Sequence, residues 1–196
     1  MNCKSLSPFL AAAALGWMLQ AADRTTDKPH KLTTVSVRKM ADSLHAVIAA
    51  DRQSYAELIG QRLATDEQRP PGSAASRESQ SLPSHAQMLR HAADSLQKQG
   101  AEFSYTLRSL WPIHPSSGPQ TEAEDTGLHA VCDRPEQPFY AEEELGGRSY
   151  FTAVYSDRAT AGSCASCHNR DPRSPKHDFR EGDVMGAIVV RVPLEF

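Results

Sequence analysis

Residues 146–192, GGRSYFTAVYSDRATAGSCASCHNRDPRSPKHDFREGDVMGAIVVRV, decide the fold. Gly146-Gly147 is a turn signal. Arg148 to Ser156 (RSYFTAVYS) reads as a strand. Val184 to Val192 (VMGAIVVRV) is apolar on both faces, the pattern of a central strand covered on each side. Between these strands residues 157–182 read as an irregular loop. A loop of that length inside a domain is commonly functional.

The loop contains Cys164-Ala165-Ser166-Cys167-His168, a Cys-x-x-Cys-His run. This is the attachment signature of a c-type haem. Cys164 and Cys167 can each add through sulfur to one haem vinyl group, and His168 follows at once to reach the iron. Two other chemistries use part of the pattern. A redox dithiol needs the two cysteines at the opening of a helix after a strand in a βαβ unit. A zinc site needs two further ligands. The expected cofactor is one covalently attached haem c, with Cys164, Cys167 and His168 as its binding residues.

Working outward, residues 32–64 carry a helical stripe of Val37, Ala41, Leu44, Ile48, Tyr55, Ile59 and Leu63. Asp51 and Arg52 interrupt it, so the helix is amphipathic. Residues 66–82 are polar with Pro, Gly and Ser and read as a linker. Ser84 followed by Gln87 is a capping box for a second helix, with Leu89, Ala92 and Leu96 on one face and Gly100 as its stop. Phe103, Tyr105 and Leu107 alternate with polar residues as in a strand. Residues 111–120 form a Pro-rich loop. Thr121 to Asp133 begins with Glu122, Glu124 and Asp125, which suits a helix start. The expectation is an α+β fold with antiparallel strands and helices packed on one face.

The N-terminus has the layout of a secretory signal peptide over residues 1–22: Lys4, an apolar stretch to Leu19, then Ala21 and Ala22. That stretch is shorter than the ~20 residues a transmembrane helix needs. Export to the periplasm suits covalent haem attachment. Residues 23–196 then form one domain, with a helix over 30–64 and a flexible loop over 65–83. Cleavage removes Cys3 and leaves Cys132 as the cysteine outside the haem motif. The net charge of −3 and pI of about 6.2 give no basic face for nucleic acid. Aromatic residues make up 7% and the mean hydropathy is −0.51, so the apolar core is modest and a large cofactor would help complete it.

The runs LRSLWPIHP (107–115), GGRSYFTAVYSD (146–157), CASCHN (164–169) and SPKHDFREGDVMGAIVVRVPL (174–194) occur in this order. Together they resemble a bacterial family of single-haem c-type proteins with a PAS-like sensor fold, long filed as a domain of unknown function. The resemblance covers most of residues 30–196 and is densest from 103 onward. It implies a PAS-like antiparallel sheet, a long N-terminal helix and one haem held by the late loop. Relatives occur as free-standing periplasmic proteins and as sensory domains of kinases or cyclases.

The sixth iron ligand decides function, because axial ligation tunes haem potential over about 0.8 V. His85 is the first candidate: it sits in the opening turn of the second helix, where the dipole keeps an imidazole neutral. Met88, one turn on, would give a His/Met site and a higher potential. Cys132 would give a thiolate and a low potential, and the resemblance includes relatives with a cysteine ligand. His45 could also reach inward, whereas His91, His114 and His129 read as surface residues. Arg170, Arg173, Lys176 and Arg180 form a basic run suited to haem propionates.

Three functions compete. The first is a haem-based redox or small-ligand sensor, with a gas such as NO or CO as ligand, a signalling partner, and a homodimer through the N-terminal helix. The second is a periplasmic electron carrier serving a redox partner protein. Ordinary small cytochromes c carry the motif early and a distal methionine late, and here only Met185 follows the motif. The third is a peroxidase or nitrite-type reductase, which needs a distal acid–base group. No such signature is present, so no enzyme activity is expected.

Overall fold

The computed structural model describes residues 34–60 and 83–195. The chain divides into two units, Met1–Thr34 and Val35–Phe196, and the fold is that of the second. The segment read as a signal peptide, and the loop expected over 65–83 apart from Pro83, lie outside the described residues.

Helix α1 (Val37–Tyr55) starts at Ser36, whose hydroxyl accepts the Lys39 amide, and continues into a π-helical turn over Ala56–Gly60. Helix α2 (His85–Lys98) opens with a complete capping box between Ser84 and Gln87. It closes in a Schellman motif. The Gly100 amide donates to the Gln97 carbonyl and the Ala101 amide to Leu96, with Gly100 at φ +71°. Strand β1 (Ser104–Arg108) leads through a 3-10 turn (Pro115–Ser117) to α3 (Glu122–Asp133). Strands β2 (Phe139–Leu145) and β3 (Arg148–Arg158) form a hairpin, helix α4 (Gly162–Arg170) follows, and β4 (Val184–Pro193) ends the domain. The sheet runs β1-β4-β3-β2 with every pairing antiparallel, an α+β architecture.

Helices cover both faces of this sheet, not one. On the first face α1 and α2 pack over Tyr105, Ala153, Tyr155, Ile188, Val190 and Val192, and contribute Ala41, Ile48 and Leu89. On the second, Leu128 and Val131 of α3 pack on Val154, Ala187 and Val189. The cause is visible in β4: its alternate residues are buried in turn against one cluster and then the other. Burying a leucine such as Leu89 is worth about 1.5–3 kcal/mol. Asp42 fastens α1 to the first face by accepting the hydroxyls of Tyr140 and Tyr155, each at 2.8 Å.

Strand β2 was not expected from the sequence. Glu142, Glu143 and Glu144 are poor strand formers. The hairpin turn is what commits them, since Gly146 and Gly147 both take positive φ, +63° and +79°, as a two-residue hairpin turn with right-handed strand twist demands. As the last strand in the sheet, β2 tolerates a charged outer face. Glu143 points inward instead and accepts from Arg191 Nε at 2.7 Å and Thr152 Oγ1 at 2.5 Å. Arg191 also donates to the fully buried Glu124 at 2.8 Å, and Arg108 Nε lies 2.9 Å from the same carboxylate. This buried network joins α3 to β1, β2 and β4 with each carboxylate compensated.

Candidate functional site

The Cys-x-x-Cys-His run lies in a helix, which corrects the reading of 157–182 as wholly irregular. Positions i, i+3 and i+4 share one helical face, so α4 aims Cys164, Cys167 and His168 together, and all three line one cleft of about 260 Å³. The helix has no side-chain cap at Ala161; tertiary packing holds it. Ala165 and Cys164 rest on a small cluster of Ala159, Phe179, Met185 and Trp111. Met185 is thereby a core residue.

Asn169 locks the helix to the returning chain. Its side-chain amide donates to the Phe179 carbonyl at 2.9 Å and accepts the Phe179 amide at 3.0 Å. Phe179 in turn meets the His168 ring edge-on, with centroids 5.8 Å apart and planes at 87°. The imidazole is therefore oriented by packing. Its Nδ1 is buried and has no hydrogen-bond partner. Burial pushes the His168 pKa below the ordinary histidine value, which favours the neutral ring.

The start of α2 contributes to the same cleft. Pro83, Ser84, His85, Ala86, Gln87 and Arg90 line the same cleft. His85 is half-buried, and its pKa is pushed down to about 4 by burial first, then by Arg52 and by His168. Two imidazoles from distant points in the chain thus share one cleft, and burial lowers the pKa of both.

The redox-dithiol and zinc chemistries do not fit this arrangement. The strands flanking α4, β3 and β4, pair antiparallel, so no parallel βαβ unit is present. Desolvation and the Asp171 carboxylate raise the Cys167 pKa, the reverse of an activated thiolate. Among the described residues no three His, Cys, Asp or Glu side chains converge to hold a metal ion. Two thiols and an imidazole on one helical face, with a second imidazole lining the same cleft, do fit an iron porphyrin.

The family model described as Tll0287-like matches residues 30–193. The chain belongs to the Tll0287-like family. It is similar to the solved structure of the cyanobacterial heme-protein Tll0287 at 19% identity, over 78% of this chain and 96% of that one, with a TM-score of 0.47. No curated protein matches the chain.

Within this Tll0287-like domain the other ligand candidates, Met88, Cys132 and His45, do not line the cleft. Met88 packs against the core of the first sheet face. Cys132 sits in α3, which covers the second face, and burial together with Asp133 raises its pKa. His45 stacks on Tyr155 with centroids 3.8 Å apart. His91 and His129 are exposed, and His114 is an exposed residue on the cleft rim.

The basic run does not supply open cations to the cleft. Arg173 lines it but is bound to Asp171, through Nε at 2.9 Å and Nη2 at 2.6 Å. Lys176 pairs with Asp178 at 2.5 Å. The cleft instead draws Arg52, Arg90 and Arg108 from three other elements. Only Arg52 left a trace in the sequence, as a charge breaking an apolar stripe.

Proposed function

We propose that this chain is an exported monohaem c-type protein of PAS-like fold that works as a haem-based redox or small-ligand sensor. Cys164 and Cys167 would hold the porphyrin through thioether links, and His168 and His85 would be the residues that ligate its iron. The observation that carries this reading is the shared cleft, which both sulfurs and His168 line from α4 and His85 lines from α2. The family, and the haem named for the cyanobacterial relative, support it. When bound, the iron porphyrin supplies a one-electron couple and a coordination position that His85 can hold or yield.

The protein's part is to orient two neutral imidazoles and to couple the cleft to α1. Arg52 supports that coupling, because it lines the cleft from α1 and bonds to Asp157 and to the Arg158 carbonyl at the end of β3. The test is the small-angle scattering and native mass of matured protein, oxidised, reduced and with CO or NO. A sensor changes shape, assembly or partner affinity between these states. No change in any of them overturns the sensor reading.

Electron transfer is the second reading, favoured by the exposure of Cys167, which would put one porphyrin edge near solvent. Rapid exchange with a donor cytochrome, without any change of shape, would select it. Neither reading assigns an enzymatic reaction, and both are periplasmic.

A further inference from the structure

We infer that Arg90 receives a haem propionate, at a second cavity that shares a wall with the cleft. The inference rests on the haem reading and extends it to the other end of the porphyrin.

Charge accounting singles out Arg90. Four arginines line the cleft. Arg52 is bound to Asp157 at 2.7 Å and to the Arg158 carbonyl at 3.1 Å. Arg108 is held by Glu124 at 2.9 Å and donates to the Ser116 carbonyl at 2.8 Å. Arg173 is closed by Asp171. Among the described residues Arg90 alone of the four makes no hydrogen bond or ion pair. The cleft thus keeps one guanidinium without a partner, and a carboxylate is the complement of a guanidinium.

The space is there to receive it. A second cavity of about 240 Å³ adjoins the cleft, and Arg90, Leu107, Arg108, His114 and Ser117 belong to both linings. Asp94 is a carboxylate on the same second cavity, one helical turn beyond Arg90, with no ion pair between them. The vinyl edge of a porphyrin is fixed at α4 by the cysteines, and its carboxylates lie on another edge. Arg90 stands five residues along α2 from His85 and lines both cavities.

The test uses the full chain matured with haem, as wild type, Arg90→Gln and Arg90→Lys. Resonance Raman reads the propionate bending band, and redox titration reads the midpoint potential. Arg90→Gln should shift the propionate band toward that of an unbonded propionate and lower the potential, with the ligand-sensitive bands unchanged. Arg90→Lys should recover most of both. A propionate band unmoved in Arg90→Gln overturns the inference while the covalent haem stands. Absence of covalent haem in the wild type would instead overturn the reading beneath it. Arg90 is exposed, so loss of the fold is not expected, and circular dichroism checks it.

Discussion

Arg52 of α1 and Asp157 of β3 form an ion pair at 2.7 Å, with side chains only 8% and 17% exposed. It is a long-range link between the N-terminal helix and the strand that runs into α4. Removing one member of a buried pair leaves the other charge stranded, at a cost of about 3–5 kcal/mol. Arg52→Met should therefore destabilise the domain by about that amount in urea unfolding, and Arg52→Met with Asp157→Leu should recover a large part. A cost under 1 kcal/mol for the single variant would mean the pair contributes little.

Gly186, inside the GDVMGA run, exists for close approach. A Cβ built there would lie 2.4 Å from the Arg108 carbonyl oxygen, which is backbone and cannot swing aside. Gly186→Ala must push β1 away from β4 beside the cleft. Overpacking of this kind costs about 1–3 kcal/mol. The expected result is a lowered urea midpoint together with a perturbed haem spectrum, since Gly186 and Arg108 both line the cleft. A variant of wild-type stability would contradict the close contact.

His45 gives the fold a pH dependence independent of the iron. Burial lowers its pKa below the ordinary 6.5, with Asp42 opposing in part. The unfolded chain then binds the proton more readily than the folded one. This contribution to stability is present above about pH 6.5 and is lost as pH falls below it. His45→Phe keeps a ring against Tyr155 and removes the titration. Its stability should fall less than that of the wild type between pH 7 and pH 5, both in the same haem state. Parallel curves would show that His45 is not the group responsible.

His85 is assigned a role on the iron, so its removal must be visible in the spectrum. His85→Ala should convert a six-coordinate low-spin ferrous haem to a five-coordinate one and speed CO binding at least tenfold. An unchanged spectrum would exclude His85 as the sixth ligand.

The elements that local chemistry specifies were legible in the chain. Ser84 with Gln87 marked the start of α2, and Gly100 its end, because caps are local. The two-faced apolarity of β4 already implied cover on both sides, and the expectation of helices on one face ignored it. Strand β2 was hidden because Glu142, Glu143 and Glu144 argue against a strand until the Gly146-Gly147 turn and the Arg191 contact are known. Helix α4 was hidden because nothing caps it and its stability comes from Phe179 and Met185, distant in sequence. The same distance concealed Arg90 and Arg108 as cleft residues, while the Arg173 beside the motif proved to be held by Asp171. His85 was named from its place at a helix start, whereas its sharing of a cleft with His168 is a property of the tertiary fold.

The central claim is that one porphyrin is covalently held through Cys164 and Cys167. The most direct test is the intact mass of the chain expressed with haem-attachment machinery, beside Cys164→Ser/Cys167→Ser expressed identically. One added haem mass on the wild type, resistant to acid–organic extraction and absent from the double variant, is the predicted result. An unmodified wild-type mass, or a haem retained after both sulfurs are removed, would contradict the account.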